Sequence, residues 1–180
     1  MDWKEECRRV HLEGMNALAR EGRMPFRFRV YNADGVAADP DLVAPEGVDD
    51  EVRDFFCTKV FPLFQRFQAP AGLMQMDTWQ VDANKFAVHF GLSMPCDSAE
   101  FVKEYFRILN EKFNGTAANL PPELMIEGMI TTIKGPKIMP VSFITQYSRK
   151  EDGTLEFRDT KELEEDLNTL LPDWWETVVN

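Results

Sequence analysis

The sequence contains no run of 18 apolar residues, which argues against a transmembrane helix. It opens Met1-Asp2-Trp3-Lys4-Glu5-Glu6, charged and without the apolar core of a signal peptide, which argues against export. Cysteine is scarce. Three residues at unrelated spacings do not make a disulfide framework, and they suit a reducing cytoplasm. Histidine is scarcer, with only His11 and His89, so mechanisms built on paired histidines are remote. No phosphate-cradling glycine loop, dinucleotide fingerprint, Gly-x-Ser-x-Gly elbow, His-Glu-x-x-His or Cys-x-x-Cys occurs. These gaps favour binding over catalysis, with no cofactor and no metal expected. Basic charge is short as well. Lys and Arg number 20 against 31 Asp and Glu, net −11, and a nucleic-acid duplex repels such a chain.

What is present reads as a folded chain. Its 180 residues are 44% hydrophobic and 28% charged, which excludes a disordered polymer and allows a core without disulfide or metal staples. The expectation is a single α+β domain over 1–180, with a C-terminal arm at 173–180. The acidity is uneven. Residues 37–100 carry 4 basic and 11 acidic groups, and residues 149–180 carry 4 and 10. The segments 1–36 and 101–148 are each close to neutral, at +1. Two acidic blocks of this kind keep a protein soluble, and they also suit a basic partner.

Periodicity assigns the elements. Trp3, Cys7, Val10, Gly14 and Ala17 fall on one face of a helix over 2–21, closed by Gly22. Phe26, Phe28 and Val30 alternate along a strand, and a loop follows over 32–47. A helix through Phe55, Phe56, Val60 and Phe64 contains Pro62, which should kink or restart it. Leu73 to Val81 and Phe86 to Leu92 alternate about Asp82-Ala83-Asn84-Lys85, predicting a hairpin over 72–92. Asp97-Ser98-Ala99-Glu100 resembles a capping box for a helix striped by Val102, Tyr105, Phe106, Leu109 and Phe113. Residues 125–133 fit helix or strand. Val141, Phe143, Thr145 and Tyr147 open a second hairpin over 139–158, and Asp159-Thr160-Lys161-Glu162 starts a last helix running to Leu171. The predicted fold class is therefore α+β: a mixed or mainly antiparallel sheet of hairpins (72–92, 139–158) packed with amphipathic helices. Hairpin, acidic cap and helix would occur twice, as recurring supersecondary structure.

Several residues invite chemistry. Asp77 falls on the apolar hairpin face opposite Phe90, where a carboxylate must find a partner or protonate; Arg27 or Arg29 would be one such partner. Cys96 stands at a helix start, which favours thiolate, although Asp97 and Glu100 oppose it. His89 lies seven residues back. Together with Trp79 these make Asp77, Trp79, His89 and Cys96 the candidate ligand-binding set. Cys7 and His11 share a helix face, as a packed pair or as half of a metal site. Arg20, Arg23, Arg27 and Arg29 cluster and could pair with the acidic 37–54 stretch or meet an acidic group. Glu162, Glu164, Glu165 and Asp166 read as a solvated helix face. Trp174 and Trp175 follow Pro172, and at least one should be buried, against this chain or a partner. With Arg27 and Arg29 they form the candidate interaction set.

The leading expectation is a cytoplasmic, non-enzymatic, acidic protein-interaction or regulatory module. One form of it is an inhibitor of a basic nucleic-acid-handling protein, and a homodimer is a further option. The alternative is a small-molecule-binding domain with an apolar pocket of Met, Phe and Trp, with or without weak enzymatic capacity. Neither reading involves a membrane.

Overall fold

The computed structural model describes residues 1–37, 42–45, 51, 54–93 and 99–164. Among the described residues, four α-helices and a seven-stranded antiparallel sheet make an α+β fold with helices packed on the sheet, the predicted class. The chain divides into two compact units, Met1–Thr78 with Gly128–Asn180, and Trp79–Glu127. Among the described residues no helix is long and apolar enough to cross a membrane.

The larger unit opens with α1, Trp3–Glu21. Asp2 caps it by accepting from the amides of Lys4 at 3.1 Å and Glu5 at 3.2 Å, and Gly22 closes it at φ 72°. Cys7, Val10, His11, Gly14, Ala17 and Leu18 are its buried stripe, as the spacing predicts. Strand β1 (Arg27–Tyr31) lies antiparallel to β2 (Leu42–Val43) on one side and to β3 (Ala71–Val81) on the other. The full order is β2-β1-β3-β4-β5-β6, with β4 at Met125–Gly135, β5 at Ile138–Arg149 and β6 at Leu155–Phe157. A seventh strand, β7 (Lys161–Leu163), also pairs with β5.

Alternation along the strands builds a core on each face. Tyr31, Leu73, Ile133, Val141 and Phe143 pack with Cys7 and Val10 of α1. Their neighbours Val30 and Met74 point the other way, onto Phe56, Val60 and Phe64. Phe56 and Val60 lie on a π-helical turn, Phe56–Val60, that leads into α2, Phe61–Phe67, which carries Phe64. Pro62 sits in the first turn of α2, where a missing N–H costs nothing, so the expected restart occurs there.

The smaller unit has its own core. Helix α3 (Ala83–Phe90) and α4 (Ala99–Lys112) bury Phe86, Ala87, Phe101, Ile108 and Leu109 with Leu120 and Leu124. The ring of Phe86 meets Tyr105 edge-on at 5.0 Å and Phe101 at 6.3 Å.

Four sequence expectations are corrected. Residues 72–92 are not a hairpin: β3 forms, but Ala83–Phe90 is helical. Asp82 does not turn a hairpin. It caps α3, accepting from Asn84 N and Lys85 N, and Gly91 ends the helix. The buried stripe of α4 is rotated, with Phe101, Ile108 and Leu109 inward while Val102 and Phe106 are exposed. Asp159–Glu162 opens no helix within the described residues; Lys161–Leu163 is strand, because the outer edge of β5 offers backbone partners at Ser142–Ile144. The hairpin-cap-helix unit therefore does not occur twice. The hairpin over 139–158 does form, with Tyr147 opposite Phe157, and the ambiguous 125–133 stretch is strand.

Gly14 sets how closely α1 approaches the sheet. A Cβ there would lie 2.3 Å from Gln75 Nε2, which donates to Val10 O at 2.8 Å and Thr131 Oγ1 at 3.0 Å. Gly14→Ala must push the buried Gln75 amide aside and break both hydrogen bonds, so it is expected to lose about 2 kcal/mol of stability. Urea unfolding followed by fluorescence reads this directly, and an unchanged midpoint would contradict the packing.

Candidate functional site

Two polar centres result from this fold, one in each unit. The first is buried beneath α1. His11 is 1% exposed, and both ring nitrogens are engaged: Nδ1 with Thr131 Oγ1 at 2.9 Å, Nε2 with Thr145 Oγ1 at 2.8 Å. Thr145 in turn meets Thr160 Oγ1 at 2.7 Å. Burial holds the imidazole well below its ordinary value, at about 4, so it is neutral at pH 7. Cys7, one turn earlier, directs its thiol to the carbonyls of Thr131 at 3.5 Å and Val141 at 3.7 Å. Cys7 and His11 are thus each committed to strand groups, and among the described residues no cluster of three metal-ligating side chains occurs.

Burial also pushes the Cys7 thiol from 9.0 up to about 12, roughly a thousandfold less thiolate at neutral pH. Cys57 is exposed. Iodoacetamide at neutral pH is therefore expected to alkylate Cys57 and spare Cys7 until denaturant is added. Early label on the Cys7 peptide in mass spectrometry would refute the buried placement.

Asp77 belongs to this unit and is half-buried on β3. Its partner is neither arginine proposed from sequence. The Tyr147 hydroxyl donates to its Oδ1 at 2.5 Å, and Tyr147 is fully buried. Since Phe90 is helical, the expected pairing of Asp77 with Phe90 falls away. Arg29 forms an ion pair with Glu13 of α1 at 3.4 Å, and most acidic groups of the 37–54 stretch lie outside the described residues. Arg27 faces Val43 and Gln75 in the strand register. Glu162 is exposed as expected, but on strand β7 and not on a helix. It takes Lys4 and Arg8 of α1, the Arg8 contact at 3.2 Å, and these cations hold its carboxyl below the usual range.

The second centre is a groove of about 420 Å³ in the smaller unit, lined by Asn84, Lys85, Val88, His89, Glu123 and Leu124. Phe86 and Ala87 turn inward on α3, so Asn84, Lys85, Val88 and His89 project outward. The second wall is fixed by the Asp82 amide, which donates to Leu124 O at 2.9 Å. That bond ties the short 3-10 turn Pro122–Leu124 to the start of α3. Leu124 is buried, whereas Val88 is 82% exposed. Lys85 and His89 stand one helical turn apart on one wall, with Glu123 on the other. The His89 ring rests edge-on against Phe90 at 4.7 Å.

Of the expected ligand-binding set, His89 lines this groove; Asp77 and Trp79 do not, and Trp79 is an exposed residue of the smaller unit. Cys96, the proposed cap at Asp97, Trp174 and Trp175 lie outside the described residues. Sequence reading missed Lys85 and Glu123. The signal was Asp82 followed nine residues later by Gly91, a cap at each end of one short helix. Compared with protein-family models, with curated proteins and with solved structures, the chain matches none.

Proposed function

We propose that the chain is an acidic protein-interaction module, acting by binding in the cytoplasm on a partner with a basic rim. The observation that carries this reading is on the smaller unit. Trp79 is 62% exposed, Phe106 56% and Val102 46%, on a chain of net charge −11. Large apolar side chains held in water are typical anchors for a partner, and the net negative charge of the whole chain favours a partner of basic character. Regulation by occupancy follows, including inhibition of a basic nucleic-acid-handling protein. A second copy is a less apt occupant, because two acidic surfaces repel.

The test is affinity capture with the intact chain and with a Trp79→Ala/Phe106→Ala variant of equal thermal stability. The reading expects a basic protein bound at about 50 mM salt, released as screening shortens toward about 8 Å at physiological strength, and lost with the variant. Equal capture by both proteins, or an acidic partner that resists salt, overturns it.

The groove favours a second reading, a small-molecule-binding domain, because its volume lies in the range of ligand pockets.

A further inference from the structure

The groove beside α3 carries charges of opposite sign that nothing in the described fold consumes. Lys85, His89 and Glu123 make no side-chain hydrogen bond or ion pair with any described residue. Other exposed charges on the same unit are paired, Arg107 with Glu104 and Glu111, so the groove holds a cation and an anion that pair with neither each other nor that cluster. In the groove the cation stands on the helix wall and the anion on the turn wall, with Val88 and Leu124 supplying apolar surface between polar groups.

We propose that this groove binds a free apolar α-amino acid, in the small-molecule sense of the second reading above. The carboxylate faces Lys85, the ammonium faces Glu123, and the side chain lies along Val88 and Leu124. His89, one turn from Lys85, offers a ring N–H to the same carboxylate. A simple anion would gain Lys85 but meet Glu123; a simple cation would gain Glu123 but meet Lys85. A zwitterion satisfies both walls at once, and an apolar side chain desolvates the protruding Val88. The groove is open to solvent, so each ion pair contributes modestly and affinity is expected in the millimolar range.

Amide chemical shifts of the intact chain test the assignment with three probes: phenylalanine, phenylacetate and phenethylamine. Phenylalanine is expected to produce saturable shifts at Lys85, Val88, His89 and Glu123. Lys85→Gln and Glu123→Gln alter exposed side chains and leave the core untouched. Each is expected to weaken phenylalanine by about three- to fivefold, the size of an exposed ion pair. Phenylacetate should weaken with Lys85→Gln and tighten with Glu123→Gln, and phenethylamine should do the reverse. No saturable shift up to about 10 mM phenylalanine overturns the proposal, as does binding indifferent to both substitutions. Phenylacetate binding as tightly as phenylalanine would also overturn it, making the groove an anion site. These outcomes leave the protein-partner reading untouched, since Trp79 and Phe106 do not line the groove.

Discussion

Lowering the pH from 7 to 4 is expected to cost the folded chain about 3 kcal/mol through His11 alone, at 1.36 kcal/mol for each unit of a shift from 6.5 to about 4. The folded pKa is depressed. Below pH 6.5 the unfolded chain takes up a proton at this residue, and the native chain does not until about pH 4. The contribution is therefore complete above pH 6.5, falls steadily through the window, and levels off below pH 4. Its cause is burial against the sheet, with Thr131 and Thr145 satisfying a neutral ring. Carboxylates titrate in part of the same range, so the measurement needs a reference. His11→Gln keeps a polar side chain between the two threonines and removes the titration. The unfolding free energies of the two proteins, measured in urea from pH 7.5 to pH 4, should draw apart or together by about 3 kcal/mol. Parallel curves would show that His11 does not remain neutral in the native core.

Gly135→Ala is expected to be at least as damaging. A Cβ at this position would lie 2.0 Å from Pro70 O and 3.0 Å from Pro70 C, with Ile138 Cδ1 at 2.9 Å. Pro70 immediately precedes β3, and Gly135 ends β4, so the obstacle is backbone at the start of a central strand. A flexible side chain could move aside; this backbone cannot without displacing the strand. A loss of about 3 kcal/mol or more follows. Gly153→Ala is the control. Nothing stands within 4 Å of its Cβ position, but its φ of 83° disfavours an L side chain, for about 1 kcal/mol. Thermal unfolding of both variants should rank Gly135→Ala well below Gly153→Ala. Similar melting temperatures would refute the close approach.

These two sites show what a sequence exposes and what it hides. The stripe of α1 was legible because one helix face meets one sheet face, so Cys7, Val10, Gly14 and Ala17 had to recur at helical spacing. The alternation of Val141, Phe143, Thr145 and Tyr147 was legible for the matching reason in β5, and all four are buried. Residues 83–92 misled because two periods fit them. Phe86, Val88, Phe90 and Leu92 alternate as a strand would, while Phe86, Ala87 and Phe90 recur as a helix would. Burial decides: Ala87 is fully enclosed and Val88 is 82% exposed. The error carried into the candidate site, since a strand would set His89 near Cys96 rather than on a groove wall with Lys85. Asp77 was singled out correctly as a carboxylate needing a partner, but Tyr147 is 70 residues away, and no local pattern names so distant a donor. Phe106 shows the converse. It belongs to an apolar stripe by spacing, yet α4 buries Phe101 and Ile108 instead and leaves it in water.

The strands at the margins of the sheet bear on how any protein partner could be held. Strand β2 has two residues, and β5 is covered along its outer side in two short pieces, β6 and β7, of three residues each. The β7 piece presents Lys161 and Glu162, and Glu162 is already held by Lys4 and Arg8. Such margins give an incoming peptide few consecutive amides and carbonyls to extend, and charge on the last strand discourages it further. Recruitment by strand addition is therefore disfavoured, and selectivity must reside in side chains. Substitutions at exposed positions such as Trp79 and Phe106 should then alter which protein is captured, while changes to the sheet's outer strands alter stability alone.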